Sequence, residues 1–320
     1  MSIARVASEP RADAFRHEAL LYAGIDEFLE GTLAFIRGGV EAGEPMLVVV
    51  DDHKIAALRA ELGSDAEAVC FADMADVGHN PARIIPAWHD FVGRHVATGR
   101  PLRGIGEPIG PRRGPDELVE CQRHESLLNL AFADASAFWL LCPYDTEAMD
   151  DSVIEEARCS HPYVGERRPG GERSAACRDL HAIAAPFDVP LAEPVVEPAS
   201  LPFGGGPLGP VRAFVARQAE SAGLGATQTS DLVLAANEVA TNSLCHGGGD
   251  GILRMWRQGD TLVCEVRDGG FIDDPLAGRR RPATYRDGGR GLWLANQLCD
   301  LVQIRSNSSG TVVRMHMRRR

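Results

Sequence analysis

The sequence has very little lysine. Lys54 is the only one, so arginine supplies the rest of the 33 basic side chains. A Walker-type phosphate loop requires the pattern GxxxxGK[ST], and no such pattern precedes Lys54, which excludes this way of holding a nucleotide. The 45 acidic residues outnumber the basic ones and give a net charge of −12, which disfavours a nucleic-acid partner. We expect the local arginine runs 279–281 and 318–320 to be solvated loops or tails.

Long apolar runs are missing as well. The longest apolar runs, such as 46–50 and 137–142, are far shorter than the roughly 20 residues that cross a bilayer and are typical of buried strands. Residues 1–14 contain arginines and acids without an apolar stretch, so neither a secretory signal nor a fold element is predicted there. We therefore expect a cytoplasmic protein without a membrane segment.

Paired cysteine motifs are also absent. The 8 cysteines, from Cys70 to Cys299, are scattered, with no CxxC pair and no His/Cys group at zinc-site spacing. This distribution predicts reduced thiols that serve as small core residues.

The length of 320 residues favours two domains, each with its own core. Up to about residue 163, short apolar runs alternate with amphipathic segments. The predicted strands are 20–22, 46–50, 68–71, 102–105 and 138–142, and the predicted helices are 27–40, 55–62, 81–97 and 115–132. This alternation predicts a mostly parallel sheet covered by helices.

Polar or conformationally special residues follow three of these strands, where parallel sheets bind ligands. They are Asp73-Met74, Gly106-Glu107-Pro108 and Pro143-Tyr144-Asp145, and Arg123-His124-Glu125 on the intervening helix is expected to face the same crevice. Turns and helix caps explain these residues equally well.

The same positions carry a family resemblance. It rests on Asp73-Met74, on 78–88 (GHNPARIIPAW), on 103–108 (RGIGEP), on 124–129 (HESLLN) and on 141–145 (LCPYD). As a set they resemble the MEDS family, the methanogen/methylotroph sensory domain, over residues 13–164. The resemblance implies a RecA-like α/β fold without a phosphate loop and a sensory role toward a small organic ligand, which the family does not fix.

Residues 165–206 are rich in proline and glycine and predict a linker, interrupted by a short helix at 175–185. Beyond them, 207–320 forms the predicted second domain. Helices are expected at 211–222, 230–246 and 291–301, and strands at 252–256, 262–266, 302–304 and 312–317. Residues 271–289 lack periodicity and predict a long mobile loop.

The helix that ends near Gly247 carries Glu238, Asn242 and His246 at intervals of four, on one face. A polar outer face is one explanation. A magnesium-bound polyphosphate facing these side chains is the other.

Three further pieces favour the nucleotide. Asp268-x-Gly270 closes a strand, Gly288-Gly289-Arg290-Gly291-Leu292 opens a helix after the loop, and Gly310-Thr311 starts the last strand. With Glu238 and Asn242, their order and spacing resemble the GHKL (Bergerat) ATP-binding fold, an α/β two-layer sandwich, and within it the anti-sigma serine kinases of the RsbW-like branch.

Each piece has a physical reason to bind ATP. The Asp268 carboxylate can accept a hydrogen bond from the adenine amino group, and Gly270 lets backbone approach the ring. Gly289 and Gly291 expose N–H groups to phosphate at a helix start, with Leu292 completing the motif. Arg290 either binds an anion or is a plain surface arginine.

The resemblance itself implies the remaining roles. Asn242 would ligate Mg²⁺, Glu238 would be the catalytic base for the attacking hydroxyl, and Thr311 would complete the adenine contact. One departure is Phe271-Ile272-Asp273-Asp274-Pro275, which stands where the family commonly has a second glycine and indicates a rebuilt lid.

These observations predict a cytoplasmic anti-sigma regulator of transcription and stress response. It would bind ATP and Mg²⁺, sequester a sigma factor, and act as a serine/threonine kinase on an anti-anti-sigma (STAS) partner, under control of the sensory domain. Two alternatives stay open: a two-component sensor histidine kinase, and a non-catalytic module that binds partners when ATP orders the lid. His17 and His124 are the histidines next to glutamate that a histidine kinase would need, although both lie in the sensory half. The resemblance also implies a homodimer formed through the ATP domain.

Overall fold

The computed structural model describes residues 15–111, 113–135, 137–282 and 290–320. These residues form two compact units. The first contains the described residues up to Met74, together with His89–Pro111 and Leu128–Arg178; the second contains Ala75–Trp88 and the described parts of Arg112–Leu127 and Asp179–Arg320. The sequence-predicted boundaries at 13–164, 165–206 and 207–320 stay a prediction.

A seven-stranded sheet forms the first unit, in the order β3-β2-β4-β5-β1-β6-β7. All neighbouring strands are parallel except β6 and β7. The strands are β1 Phe15–Tyr22, β2 Met46–Val50, β3 Cys70–Asp73, β4 Leu102–Gly106, β5 Phe138–Asp145, β6 Tyr163–Glu166 and β7 Glu172–Arg173. The predicted mostly parallel sheet is confirmed.

Six helices accompany these strands along the described chain. They are α1 Gly24–Ala42, α2 Asp52–Leu62, α3 Met74–Val77, α4 Ile84–His95, α5 Pro115–Ala131 and α6 Asp151–Ser160. The sequence-predicted end of the first helix at residue 40, just after Gly38-Gly39, is wrong, because α1 runs on to Ala42 and Gly43 is its left-handed cap. Gly39 serves packing instead: a Cβ there would lie 2.5 Å from Met46 Sδ. The core of this unit includes Leu20, Ile36 and Val48.

Three predictions at the end of this region are wrong. Residues 143–145, predicted as a loop, belong to β5, and Pro143 pairs with Leu20. The predicted helix at 175–185 is absent from the described chain, which has 3-10 turns at Leu180–Ala182 and Ala185–Phe187. Backbone bonds hold the segment before these turns in another conformation, since Arg178 N–H donates to the Cys159 carbonyl at 2.9 Å. Finally, Ala199–Gly204 is a strand, although the sequence predicts a linker.

The second unit is built on a five-stranded antiparallel sheet in the order β11-β12-β10-β9-β8. Its strands are β8 Ala199–Gly204, β9 Asp250–Gln258, β10 Thr261–Asp268, β11 Leu301–Asn307 and β12 Gly310–Arg318, and its helices include α7 Gly209–Ser221, α8 Ala226–His246 and α9 Arg290–Leu298. Pro202 is tolerated because β8 is an edge strand. Helices α7 to α9 pack on one sheet face around Leu253, Val266 and Met315. The predicted two-layer α/β sandwich is confirmed.

The other face of this sheet carries polar side chains that are nevertheless buried. We call the group of Glu265, Gln303, Arg305, Arg314 and His316 the charged face; all are at most 8% exposed. Residues from elsewhere in the unit cover it. Arg314 donates to the Ala192 carbonyl at 2.9 Å, Arg305 donates to the Val189 carbonyl at 3.2 Å, and Arg305 also pairs with Glu120 of α5 at 2.8 Å.

All 8 cysteines are unbridged, which agrees with the expectation of reduced thiols. Four are buried, but Cys70 and Cys245 are exposed, so they are not the core residues that the sequence predicts. Within the described residues, every helix is too short or too polar to cross a bilayer.

Candidate functional site

Asp268, the last residue of β10, has a fixed carboxylate. One oxygen accepts a hydrogen bond from the Ser243 hydroxyl of α8 at 2.5 Å, and the other accepts from the Gly270 N–H at 2.8 Å. A carboxylate has about four acceptor positions, so two such bonds leave capacity for a ligand amino group. Asp268 is therefore both oriented and able to accept further hydrogen bonds.

Gly270 lies where chain segments approach closely. A Cβ at this position would lie 2.8 Å from both Gly247 Cα and the His246 carbonyl oxygen, so a larger residue would push the end of α8 away from the turn after β10. Thr311 pairs with Asp268 across β10 and β12. Its hydroxyl donates to the Gly270 carbonyl at 2.9 Å, which fixes the same turn from the other side.

The start of α9 lies against α8. A Cβ on Gly291 would lie 2.9 Å from Asn242 Nδ2 and 3.3 Å from the Glu238 carbonyl oxygen. Glycine at 291 therefore lets the two helices approach at the level of Asn242, whose amide oxygen is a ligand type that Mg²⁺ accepts. Glu238 lies one turn earlier on α8, and both side chains are half-buried.

A cavity of about 790 Å³ collects most of the predicted residues. It is lined by Asn242, Asp268, Gly270, Leu292 and Thr311, together with apolar side chains such as Val239 and Val313. Among the residues that the structure describes, Glu238, Arg290 and Gly291 do not belong to this lining. Gly288 and Gly289 fall in 283–289, outside the described residues.

Sequence reasoning missed part of this lining. His246, which the sequence places on the face of Asn242 but to which we assigned no binding role, lines the cavity, and so do Arg280 and Arg281. The helical spacing of His246 after Asn242 was the available signal. Nothing in the spacing of Arg280 and Arg281 distinguishes them from solvated residues, because the conformation of the long loop that contains them decides where their side chains lie.

The described part of the long loop, 271–282, is anchored at several points. The Ile272 N–H donates to the Ser306 hydroxyl at 2.8 Å, and Asn296 Nδ2 donates to the Gly278 carbonyl at 3.0 Å. Arg279 is 5% exposed and pairs with the buried Glu120 at 3.0 Å, so the expectation of a solvated arginine is wrong for this residue. Burial lowers the pKa of Arg279 to about 10, with Glu120 opposing that shift.

Another sequence expectation fails on α5. Arg123 was expected to face a ligand crevice of the parallel sheet. Instead, its guanidinium donates to the Ile304 carbonyl of β11 at 2.6 Å. A backbone carbonyl at a twisted sheet is a partner that no sequence spacing could reveal.

The cavity fits a purine nucleotide. It combines an oriented carboxylate, a threonine hydroxyl and apolar walls with two arginines, which is the usual composition of a small-molecule site. The carboxylate and hydroxyl suit the polar edge of an adenine, the apolar walls suit its faces, and the guanidinium groups suit phosphate. The amide of Asn242 suits a magnesium ion that keeps water and phosphate as its other ligands.

A second polar group lies in the first unit, at the carboxyl ends of the parallel strands. Lys54 Nζ donates to both Glu107 oxygens at 2.6 and 2.7 Å and to the Tyr22 hydroxyl at 2.8 Å. Burial raises the pKa of Glu107, although Lys54 opposes the shift; burial also raises the pKa of Tyr22. Of the residues predicted at this edge, Asp73 and Gly106 end their strands and Glu107 enters this group.

Two family models match the chain. The first, MEDS, the "MEthanogen/methylotroph, DcmR Sensory domain", matches residues 16–162. The second, the histidine kinase-like ATPase domain, matches residues 206–317 and covers the whole cavity described above. That class of domain implies ATP binding.

No curated protein matches the chain. Among solved structures, it is similar to the RsbU and RsbW domains of Rv1364c from Mycobacterium tuberculosis, with 16% identity and a TM-score of 0.29. That similarity covers 38% of this chain and 32% of the other, so it spans about a third of the solved protein. The chain therefore contains a region that matches a MEDS sensory domain, followed by a region that matches a histidine kinase-like ATPase domain.

Proposed function

We propose that this protein is an anti-sigma regulator that binds ATP·Mg²⁺, sequesters a sigma factor and phosphorylates a serine on a STAS-domain antagonist. The observation that carries the proposal is the cavity in which Asn242, Asp268, Gly270 and Thr311 come together beside the α8–α9 contact. ATP supplies the phosphoryl group in this reaction. The sensory domain would control the reaction in response to a small organic ligand, within a cytoplasmic homodimer.

The side chains divide the work between them. Asp268 and Thr311 hold the adenine edge, and Gly270 leaves room for the ring. Asn242 would hold Mg²⁺ at the end of the cavity that receives the phosphates. Leu292 and the backbone N–H groups near Gly291, at the start of α9, lie at the same end. Gly289 and Arg290 belong to the same phosphate end in this proposal.

Glu238 is the proposed base that receives the proton of the attacking serine hydroxyl. It lies one helical turn from Asn242, so both face the same side of α8. A general base must come within hydrogen-bond distance of the hydroxyl it deprotonates, and such contacts often tighten only when substrate is bound.

The burial of His17 and His124 argues against a sensor histidine kinase. A phospho-accepting histidine must reach the ATP phosphate, but His17 and His124 are each only 1% exposed. A non-catalytic binding module is the second candidate. It is favoured by the position of Glu238, which is not among the described residues lining the cavity.

Phosphotransfer with labelled ATP separates these functions. The protein is incubated with labelled ATP, with and without a candidate STAS-domain partner, and the label is tested for stability in acid. We expect acid-stable label on a partner serine. Acid-labile label on the protein itself would replace the proposal with a histidine kinase.

The variant Glu238→Ala should remove the label while retaining ATP binding, measured with a fluorescent ATP analogue. Glu220→Ala is the matched control, because Glu220 is an exposed glutamate on the neighbouring helix α7. If neither the wild-type protein nor the control labels the partner, and both capture the sigma factor when ATP is present, the binding module is the function.

A further inference from the structure

Two strands of the parallel sheet bring a histidine and a cysteine together. His17 on β1 pairs with Leu140, and Cys142 on β5 pairs with Ala19. Residues two apart on a strand share a face, so His17 and Cys142 lie diagonally on the same side of the sheet. Their reactive atoms are close, with Cys142 Sγ 3.3 Å from His17 Nε2.

A second histidine completes the group. His161 lies between α6 and β6, and the centroid of its ring is 4.0 Å from that of His17. The ligand atoms of His17, Cys142 and His161 all lie within 4.8 Å of one another. Donor atoms around a tetrahedral zinc ion stand roughly 3.3–3.6 Å apart, as bond lengths of about 2.0–2.3 Å require, so only a small closure is needed.

The hydrogen bonds around the histidines select the nitrogen that can bind a metal. His17 Nδ1 lies 3.1 Å from Asn129 Oδ1, while Asn129 Nδ2 donates to the Ser160 carbonyl at 2.6 Å. That second bond assigns the amide oxygen to His17, so His17 Nδ1 carries the proton. The lone pair of His17 is therefore on Nε2, the atom next to Cys142.

His161 has the same arrangement. Its Nδ1 lies 2.8 Å from the Ala157 carbonyl, which can only accept, so Nδ1 carries the proton and Nε2 the lone pair. The Ser160 hydroxyl is also 3.1 Å from this nitrogen. Histidines that bind metals commonly donate their other ring N–H to a carbonyl or carboxylate, which fixes both tautomer and ring direction.

The surroundings suit a soft metal ion. His17 and Cys142 are 1% exposed and His161 is fully buried. One thiolate and two imidazoles favour late first-row ions such as Zn²⁺ over Mg²⁺ or Ca²⁺. Glu125 precedes Asn129 by one turn on α5 and is also buried, so a carboxylate lies on the helix face that carries the amide.

We propose that His17, Cys142 and His161 form a binding site for a divalent transition-metal ion of the Zn²⁺ type. His17 and His161 coordinate through Nε2 and Cys142 through Sγ, and Cys142 releases its thiol proton to solvent when the ion binds. The site ties β1, β5 and the start of β6 together within the sensory domain. It is independent of the proposed kinase function.

Metal content and Co²⁺ spectra of the full-length protein test the site. Zinc should remain bound at about one ion per chain after dialysis. Co²⁺ added to the metal-free protein should give strong visible bands of a tetrahedral ion and a near-ultraviolet thiolate-to-cobalt band. Wild-type protein that binds neither ion overturns the proposal without any variant.

Cys142→Ala should remove the thiolate band, and His161→Gln should weaken Co²⁺ binding at least about 10-fold. Cys264→Ala is the matched control, because Cys264 is an equally buried thiol on β10 of the other sheet. Circular dichroism establishes that each variant is folded. A thiolate band that persists in folded Cys142→Ala, or that disappears in Cys264→Ala, also overturns the assignment.

Discussion

The two faces of the second sheet are both buried, yet they are built from opposite chemistry. On the helical face, Leu253, Val266 and Met315 pack against apolar helix residues, and the cavity of the proposed nucleotide site opens on this side beside Val239 and Val313. On the charged face, Glu265 and Arg314 make ion pairs and directed hydrogen bonds.

This difference indicates where a substitution should destabilise the second unit most. Apolar packing is non-directional and is shared among many contacts, so a conservative change there is partly absorbed. A buried ion pair depends on each partner, because removing one leaves the other charge in a medium that solvates it poorly. We therefore expect the largest single effects on the charged face and moderate ones at the cavity.

Glu265→Gln should have the largest effect. Glu265 is fully buried and binds three arginines, Arg254 at 3.0 Å, Arg267 at 2.7 Å and Arg314 at 2.7 Å. Loss of its charge should lower the free energy of unfolding by about 3–5 kcal/mol. Urea denaturation followed by circular dichroism measures the change. A loss under about 1 kcal/mol would mean that water solvates the three arginines in the variant, and that the two faces are equally tolerant of substitution.

Acid should weaken the charged face next. His316 Nε2–H donates to Gln303 Oε1 at 3.0 Å. The burial of His316, with Arg314 nearby, lowers its pKa from 6.5 to about 4 against the opposing Asp116 and Glu120. The unfolded chain then binds more protons than the folded one between these pKa values. Stability from this group is present above pH 6.5 and is lost as the pH falls toward 4, by up to roughly 3 kcal/mol.

His316→Gln removes this titration while keeping a hydrogen-bonding side chain. The slope of unfolding free energy against pH between 6.5 and 4 should be shallower in the variant than in the wild type. Unfolding midpoints measured at several pH values in that window provide the comparison. Equal slopes would show that other groups account for the acid sensitivity.

A change at the cavity should affect binding more than folding. Asp268→Asn removes the carboxylate that accepts from Ser243 and Gly270, and ATP affinity should fall about 10- to 100-fold, or about 1.4–2.8 kcal/mol. Titration of a fluorescent ATP analogue measures this. Asp260→Asn, in the exposed turn between β9 and β10, is the control and should bind as wild type does. Equal affinity in Asp268→Asn would remove the adenine contact from the proposal.

The smallest effect belongs to the rim of the charged face. Glu193 is 61% exposed on its side chain and pairs with Arg254 at 2.8 Å and Arg267 at 2.6 Å. Exposed pairs contribute about 0–1 kcal/mol, so Glu193→Gln should change unfolding by less than about 1 kcal/mol, and added salt should reduce the difference further. A loss comparable to that of Glu265→Gln would show that burial does not separate the two.

The sequence predicts the regular elements well because their signals are local. Alternation and helical periodicity identify β2, β9, β10 and α8 to within a few residues. The residues of the proposed nucleotide site are equally easy to predict from the sequence, since Asp268 with Gly270 and Arg290 with Gly291 form short glycine-containing motifs. Their roles in the site stay a prediction, whereas the structure places Asp268 at the end of β10 and Gly291 against α8.

What the sequence misses depends on partners far along the chain. Strand β8 is predicted as part of a linker because Pro202 and Gly204, next to Pro198 and the glycines 205–206, are typical of linkers. The tolerance of Pro202 is explained only by the position of β8 at the edge of the sheet. The burial of the charged face has no local signal in the sequence, because its covering residues, such as Glu120 and Val189, come from other segments. His17, Cys142 and His161 escape any spacing rule for the same reason, since strand register and the end of α6 bring them together.

Lys54 carries the only side-chain amine in the chain, and that scarcity has a practical consequence. Besides the α-amino terminus, amine-directed labels and cross-linkers have this one target. Its ammonium group is held by Glu107 and Tyr22, and its side chain is 16% exposed. A reagent can therefore modify Lys54 only when its contacts with Glu107 and Tyr22 break. The rate of modification at Lys54 thus measures how often this group opens at the carboxyl edge of the parallel sheet.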